Sequence, residues 1–290
     1  MTRPCALVTD SGTVLSDRPA AGVRVIPLRI AFGGEVLRDG LDISSEDFYR
    51  RLRAGEVPTT STPSPGEYLE AFRSVDAEHI VCLTIPPGLS AMHESATLAA
   101  RLFADEGDTR PVNVIDTGNA AAGFGLVARA AAELCASNAP ASEVLARVEK
   151  ARTEVRMYGS LRTLSHLARS GRVPSLAAGV SDLLGVRPIF ELRHGEARRL
   201  ALVRGERRVV RTFQRIALAD LPKHLPLWLA VFHSGVPQSA AALREALHEV
   251  LLIGRSETIS LTPVMGAYTG PGMTGFAAMP LSDREIGGVP

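Results

Sequence analysis

Short apolar runs that end in polar or glycine-rich turns recur through the first half of the chain. "CALVTDSG" (Cys5 to Gly12), "VRVIPLRIAFGG" (Val23 to Gly34), "HIVCLTIPPG" (His79 to Gly88) and "VNVIDTGN" (Val112 to Asn119) each have the pattern of a buried strand. Amphipathic segments rich in alanine and leucine follow or separate them: "SSEDFYRRLRAG" (Ser44 to Gly55), "SPGEYLEAFRSV" (Ser64 to Val75), "SAMHESATLAARLF" (Ser90 to Phe103) and "AAGFGLVARAAAELCA" (Ala121 to Ala136). Strand and helix alternating at this spacing predict a mostly parallel sheet with helices packed on its faces.

Near Ala141 the pattern changes. "ASEVLARVEKARTEV" and "TLSHLARSG" predict helices, and the alternating stretch after them predicts a hairpin turning at His194-Gly195. A helix, a strand at "LWLAVFHSG" (Leu227 to Gly235), a helix at "SAAALREALHEVL" (Ser239 to Leu251) and a strand at "ETISLTPVMGAYTGPG" (Glu257 to Gly272) complete the chain. The expected class is α/β in two domains. Residues 1–155 form an N-terminal, mostly parallel α/β domain, and residues 156–290 a C-terminal α+β domain.

Composition narrows the function classes. The 290 residues are 46% hydrophobic and 22% charged, ordinary for a globular protein. The 32 basic and 31 acidic residues leave a formal charge of +1, so no global field attracts nucleic acid. The arginine-rich run "EARRLALVRGERRVVR" (Glu196 to Arg211) reads first as a solvated strand face and second as a docking patch for an acidic partner. Cys5, Cys82 and Cys135 are far apart and set among apolar residues, the usage of a reducing cytoplasm and not of a disulfide framework or a metal site. No signal peptide begins the sequence, and no stretch reaches the ~18 consecutive apolar residues of a membrane span.

Ligands of a parallel sheet collect where strands end and helices begin, so polar residues there are the candidates for chemistry. The first half offers Thr9, Asp10 and Ser11, the hydroxyl cluster Thr59 to Ser64, Ser90, and Asp116 with Thr117. Each taken singly reads as a helix cap. Taken together on one edge, hydroxyls and helix N-terminal amides make a binding site for a carboxylate or phosphate. There is no P-loop lysine, no Gly-x-Ser-x-Gly elbow, no His-Glu-x-x-His and no paired-cysteine spacing. "GFGLVA" (Gly123 to Ala128) matches Gly-x-Gly-x-x-Ala, but it lies too far beyond Thr117 for a dinucleotide turn, and helix–sheet packing is its expected role. The seven histidines are scattered singly, and only His93 sits at the suspected ligand edge. Ser64 with Glu67 three residues on predicts a capping box, while Pro63 and Pro65 are expected to stiffen the preceding loop and aim Thr60 and Ser61 at one place.

Seven segments in register resemble the DegV family of fatty-acid-binding proteins, the acyl carriers of a bacterial fatty acid kinase. They are "LVTDSG", "VIPLRIAFGGEVLRDGLDIS", "TTSTPSPGEY", "TIPPGLSAMHESA", "VIDTGNAAAGFGLVA", the stretch from "TLSHLARSGRV" to "ALVRGERR", and "GAYTGPGMTGFA". The resemblance covers nearly the whole chain and implies a cytoplasmic, non-catalytic carrier of the EDD fold. In it an acyl tail lies in an apolar tunnel with its carboxyl group at the mouth. Thr60 and Ser90 match the carboxyl-contacting hydroxyls, with Ser61 as an accessory and Ala91 beside Ser90. Arg172 matches the arginine of the head-group network, and Arg204 the position that docks the kinase. Apolar residues of "LLGVRPIF" and "VMGA" are candidates for the tunnel wall. No catalytic residue, metal or cofactor is implied. The chain departs from the family pattern at Tyr268, where histidine is usual, at Pro87, and at Ala91-Met92 in place of Gly-Thr. Tyrosine still donates its O–H to a carboxylate.

Moving about fourteen acyl methylenes out of water yields on the order of 11 kcal/mol at ~0.8 kcal/mol each, before association costs. The reading that competes with a carrier is an enzyme acting on a small carboxylate or phosphate at the same edge, with Ser90 or His93 as the reacting group.

Overall fold

The computed structural model describes residues 2–15, 21–172 and 185–287. Strands β1 (Ala6–Asp10), β2 (Val23–Ile26), β6 (Ile80–Thr84) and β7 (Val112–Asp116) form an all-parallel sheet in the order β2-β1-β6-β7. These strands read as continuous apolar runs because both of their faces are covered. Val8, Ile80 and Cys82 pack outward against α2 (Pro65–Ser74) and α3 (Met92–Asp105). Leu7, Val81 and Leu83 pack inward against α4 (Ala121–Ala136), beside which α5 (Ala141–Glu154) lies.

Helix α4 is buried on nearly all sides because a second sheet covers its far side, where Met157, Phe190, Trp228 and Phe232 join the same core. That sheet runs β10-β9-β8-β13-β11-β12, from β8 (Arg156–Ser160), β9 (Val186–Arg193), β10 (Glu196–Arg204), β11 (Leu227–His233), β12 (Ile253–Ser260) and β13 (Thr274–Pro280). Only the β11–β12 pair in it is parallel. Its outer face carries α7 (Glu206–Asp220) and α8 (Pro237–His248), through Phe213, Leu243 and Leu247. The glycines of "GFGLVA" are packing residues: a Cβ on Gly125 would meet the Thr13 carbonyl oxygen at 2.5 Å.

Three segments differ from their sequence pattern. "VRVIPLRIAFGG" is two strands: β2 ends before Pro27, which lacks an N–H for the ladder, and β3 (Arg29–Phe32) leaves for another sheet. That antiparallel sheet, β4-β3-β5, is completed by β4 (Glu35–Arg38) and by β5 (Pro58–Ser61), so the hydroxyl cluster starts in a strand and not in a loop. The last predicted strand stops at Ser260, and Pro263 opens a short helix, α9 (Pro263–Thr269), because proline fits the first helical position. Leu28, just before β3, and Ile30 and Phe32 of the small sheet, together with Phe48 and Tyr49 of α1 (Ser45–Arg53), pack on Val264 of α9. The hairpin turns where expected, with φ positive at both His194 (51°) and Gly195 (81°), as a type I′ turn requires. Its tip docks on the first sheet: the Gly195 amide donates to the Gly118 carbonyl at 2.8 Å. Of "LLGVRPIF", Leu183 and Leu184 lie outside the described residues.

Candidate functional site

A cavity of about 980 Å³, counted out to its open mouth, lies where the carboxyl edge of the parallel sheet, the small sheet, α9 and the β8–β9 face meet. Much of its wall is apolar: Leu28, Ile85, Leu89, Met92, Met157, Leu161, Leu167, Phe190, Leu192, Val264, Met265 and Met273 all contribute. Side chains from "LLGVRPIF" and "VMGA" are thus in the wall as Phe190, Val264 and Met265.

Thr60 reaches the cavity through strand pairing. It lies opposite Ile30 in the β3–β5 ladder, and Ile30 is fully buried, so Thr60 shares the inward face. Its hydroxyl is hydrogen-bonded to the Tyr268 hydroxyl on α9. Ser61 pairs with Arg29, falls on the outer face and is exposed, although it borders the cavity at the end of β5. The prolines therefore do not aim both hydroxyls at one point; alternation along the strand separates them. Pro65 instead starts α2, whose capping box is complete: the Glu67 amide donates to Ser64 Oγ at 3.3 Å, and the Ser64 amide to Glu67 Oε2 at 2.9 Å.

Ser90 is buried (8% exposed) in the wall, and its hydroxyl has no partner among the described residues. Ala91 is exposed and stands outside the wall; it precedes α3 without a side-chain cap. Helix α4 likewise starts with no capping side chain, and Ala120 and Ala121 at its start line the cavity. Ala121 holds φ at 48°, a left-handed conformation that L-residues rarely adopt and that collects at binding sites. Two helix N-termini without side-chain caps thus border one cavity, with their free amides and positive dipole ends available to an anion.

A cation is present as well. Helix α6 (Ser165–Ser170) is stopped by Gly171 in the left-handed region (φ 67°), and the turn sets the Arg172 guanidinium 4.3 Å from the centre of the Tyr268 ring. Among the described residues no acidic side chain pairs with it. Thr60, Tyr268, Ser90 and Arg172 thus line the same cavity as donors, while Arg204 lies exposed at the end of β10 and outside its wall.

The remaining edge residues serve the fold. Thr9 donates to the Leu83 carbonyl, Thr117 to the Thr84 carbonyl, and Asp116 accepts from the Gly118 amide. His93 Nδ1 bonds Thr84 Oγ1 at 3.1 Å and is not paired with Ser90. Among the described residues no cluster of His, Cys, Asp and Glu could hold a metal, and no helix is long and apolar enough to cross a membrane. The wall residues Met157, Leu161, Leu167 and Met273 carried no sequence signal, since a methionine or leucine in a cavity wall has the same local pattern as one in the core.

The comparisons with known proteins agree with this architecture. Residues 4–281 match the family model described as "Uncharacterised protein, DegV family". A DegV domain-containing protein of Streptomyces coelicolor is 32% identical over 281 residues, covering 95% of this chain and 98% of that protein. A solved structure described as fatty acid binding of a DegV family protein from Thermus thermophilus superposes with a TM-score of 0.87 at 32% identity, covering 97% of this chain and 100% of that one. DegV from Bacillus subtilis, described as a fatty acid binding protein, has the same fold, with a TM-score of 0.83 at 23% identity over 97% of this chain and 100% of that one.

Proposed function

This chain belongs to the DegV family, and on that premise we propose that it binds a long-chain fatty acid in its cavity and presents the carboxyl group to a fatty acid kinase. The observation that carries the binding half is the unpaired, buried Ser90 hydroxyl facing an otherwise greasy chamber, with Arg172 on the same wall. A buried hydroxyl without a partner costs about 1–3 kcal/mol, which a bound carboxylate would relieve. Hydrocarbon wall and anion-binding donors together suit a fatty acid better than a small phosphate, and the fatty acid binding described for the Thermus thermophilus protein supports the same ligand.

In this reading residues 1–155 carry Thr60 and Ser90, and residues 156–290 supply Arg172, Tyr268 and the rest of the wall. Ser61 is an accessory at the cavity border, and Ala91 lies beside Ser90 outside the wall. The protein is a carrier without catalysis of its own or cofactor, working in the cytoplasm, where Cys5, Cys82 and Cys135 stay as buried free thiols. Organic extraction of the purified protein followed by mass spectrometry tests the proposal. Recovery of no fatty acid, together with no uptake of added acid, removes it. Thr60→Ala and Ser90→Ala should each weaken fatty acid binding by ~1–3 kcal/mol, about 5- to 150-fold, and unchanged affinity in the double variant would take both residues out of the site.

The kinase half rests on the family resemblance and on the exposed place of Arg204. Arg204→Glu should leave fatty acid affinity as it is and slow phosphorylation of the bound acid about 5- to 150-fold, since reversing one charge at a protein contact costs on the order of 1–3 kcal/mol. Equal phosphorylation of both proteins by the kinase would end that role.

A further inference from the structure

Asp10 closes β1 at the carboxyl edge of the parallel sheet, fully buried, and its side chain borders the cavity. One oxygen, Oδ1, accepts a hydrogen bond from the Gly12 amide at 2.7 Å; the other, Oδ2, is buried without a partner among the described residues. The neighbouring acid Asp39 is fully engaged: the Ser11 hydroxyl donates to its Oδ2 at 2.6 Å and the Val264 amide to its Oδ1 at 3.1 Å. Burial raises the Asp39 carboxyl as well, but the hydrogen bonds to both of its oxygens offset part of that rise, whereas the bare buried oxygen of Asp10 is the place for a proton.

The other titratable groups facing Asp10 are Tyr68 on α2 and Cys82 on β6, and burial pushes both up, so they stay neutral near pH 7. No basic side chain of the described residues is paired with Asp10. Burial raises the Asp10 carboxyl, the Gly12 amide draws it back in part, and the Asp39 charge adds to the rise, leaving it at about 7.

We propose that Asp10 is a further ligand-contacting residue: in its protonated form it donates a hydrogen bond through Oδ2 to the carboxylate of the acid bound in the cavity. The inference rests on the fatty-acid reading of the cavity and adds to it the source of one proton. A carboxylate that accepts a hydrogen bond from Asp10 shares one proton with it, so binding draws Asp10 toward its protonated form. Affinity then falls as the free protein loses that proton. Asp10 is thereby a specificity device too, because it favours a carboxylate over a ligand head that cannot accept a proton bond.

The test is the pH dependence of palmitate binding to the full chain, from about pH 6 to about pH 9, in the wild type and in Asp10→Asn. Wild-type affinity should fall about tenfold per pH unit above about pH 7. Asp10→Asn keeps the Gly12 bond through its amide oxygen and offers an N–H at every pH, so its affinity should stay at the wild-type pH 6 level throughout. A fall of the same slope in the variant overturns the proposal. A second measurement needs no variant: the carboxyl carbon of Asp10, followed by 13C NMR, should titrate at higher pH once palmitate is added, and an unmoved titration also overturns it. Wild-type binding that ignores pH removes only the role of Asp10, whereas no palmitate binding at any pH removes the fatty-acid reading itself.

Discussion

Replacing Ala120 with phenylalanine is expected to abolish retention of a long acyl chain while leaving the fold intact. Ala120 lies in the cavity wall just before α4, and its backbone is extended (φ −136°, ψ 174°), a conformation phenylalanine adopts freely. The ring is added at a residue that borders the cavity. It takes the room of several methylenes of a tail. Excluding about six of them at ~0.8 kcal/mol each costs about 5 kcal/mol, which is a loss of roughly three orders of magnitude in affinity. Extraction and a direct affinity measurement read the effect, and an unchanged melting temperature shows that the fold survives. If Ala120→Phe holds palmitate as tightly as the wild type, the tail does not lie in this cavity.

The largest effect on stability should come from Glu285. It sits in α10 (Asp283–Gly287) and forms a paired contact with Arg147 of α5: Arg147 Nε donates to Oε1 at 3.1 Å and Nη2 to Oε2 at 3.0 Å, with both side chains 7% exposed. Removing one partner of a buried pair leaves the other charge without compensation, which costs ~3–5 kcal/mol. Glu285→Ala should therefore lower the melting temperature by on the order of 10 °C. The double replacement Arg147→Met with Glu285→Leu removes both charges and should recover much of the loss. A drop as large in the double variant would mean that packing, and not the stranded charge, sets the cost.

The same pair gives a pH signature with a definite sign. Burial acts to raise the Glu285 carboxyl, but the Arg147 guanidinium and the Ser282 amide outweigh it and hold the group below its ordinary value. A carboxyl lower in the folded than in the unfolded chain adds stability above the unfolded value, and that stability disappears as pH falls through the folded one. Melting of the wild type below about pH 5 should therefore approach that of Glu285→Ala.

Much of the architecture was legible in sequence because it is fixed by neighbours along the chain. Continuous apolar runs specify strands covered on both faces, as β1 and β6 are, and the Ser64–Glu67 spacing specifies a cap that forms as written. His194-Gly195 specifies a tight turn because few other pairs tolerate two positive φ values. Pro27 and Pro263 are equally visible in the sequence: the missing N–H of Pro27 ends β2, whereas β12 has already stopped at Ser260 when Pro263 starts a helix.

The sequence by itself determined the strands, the helices, the cap and the residue types able to hold an acid: hydroxyls, an arginine and a tyrosine. Only the tertiary structure decided which of them meet. Pairing with Ile30 turned Thr60 inward and Ser61 outward, the turn at Gly171 laid Arg172 over Tyr268, and packing of remote elements left Ser90 and Asp10 each with a buried oxygen that has no partner among the described residues. Local hydrogen bonding and side-chain periodicity act over a few residues and are written there; a cavity is the space that segments more than two hundred residues apart fail to fill, and no local pattern encodes it.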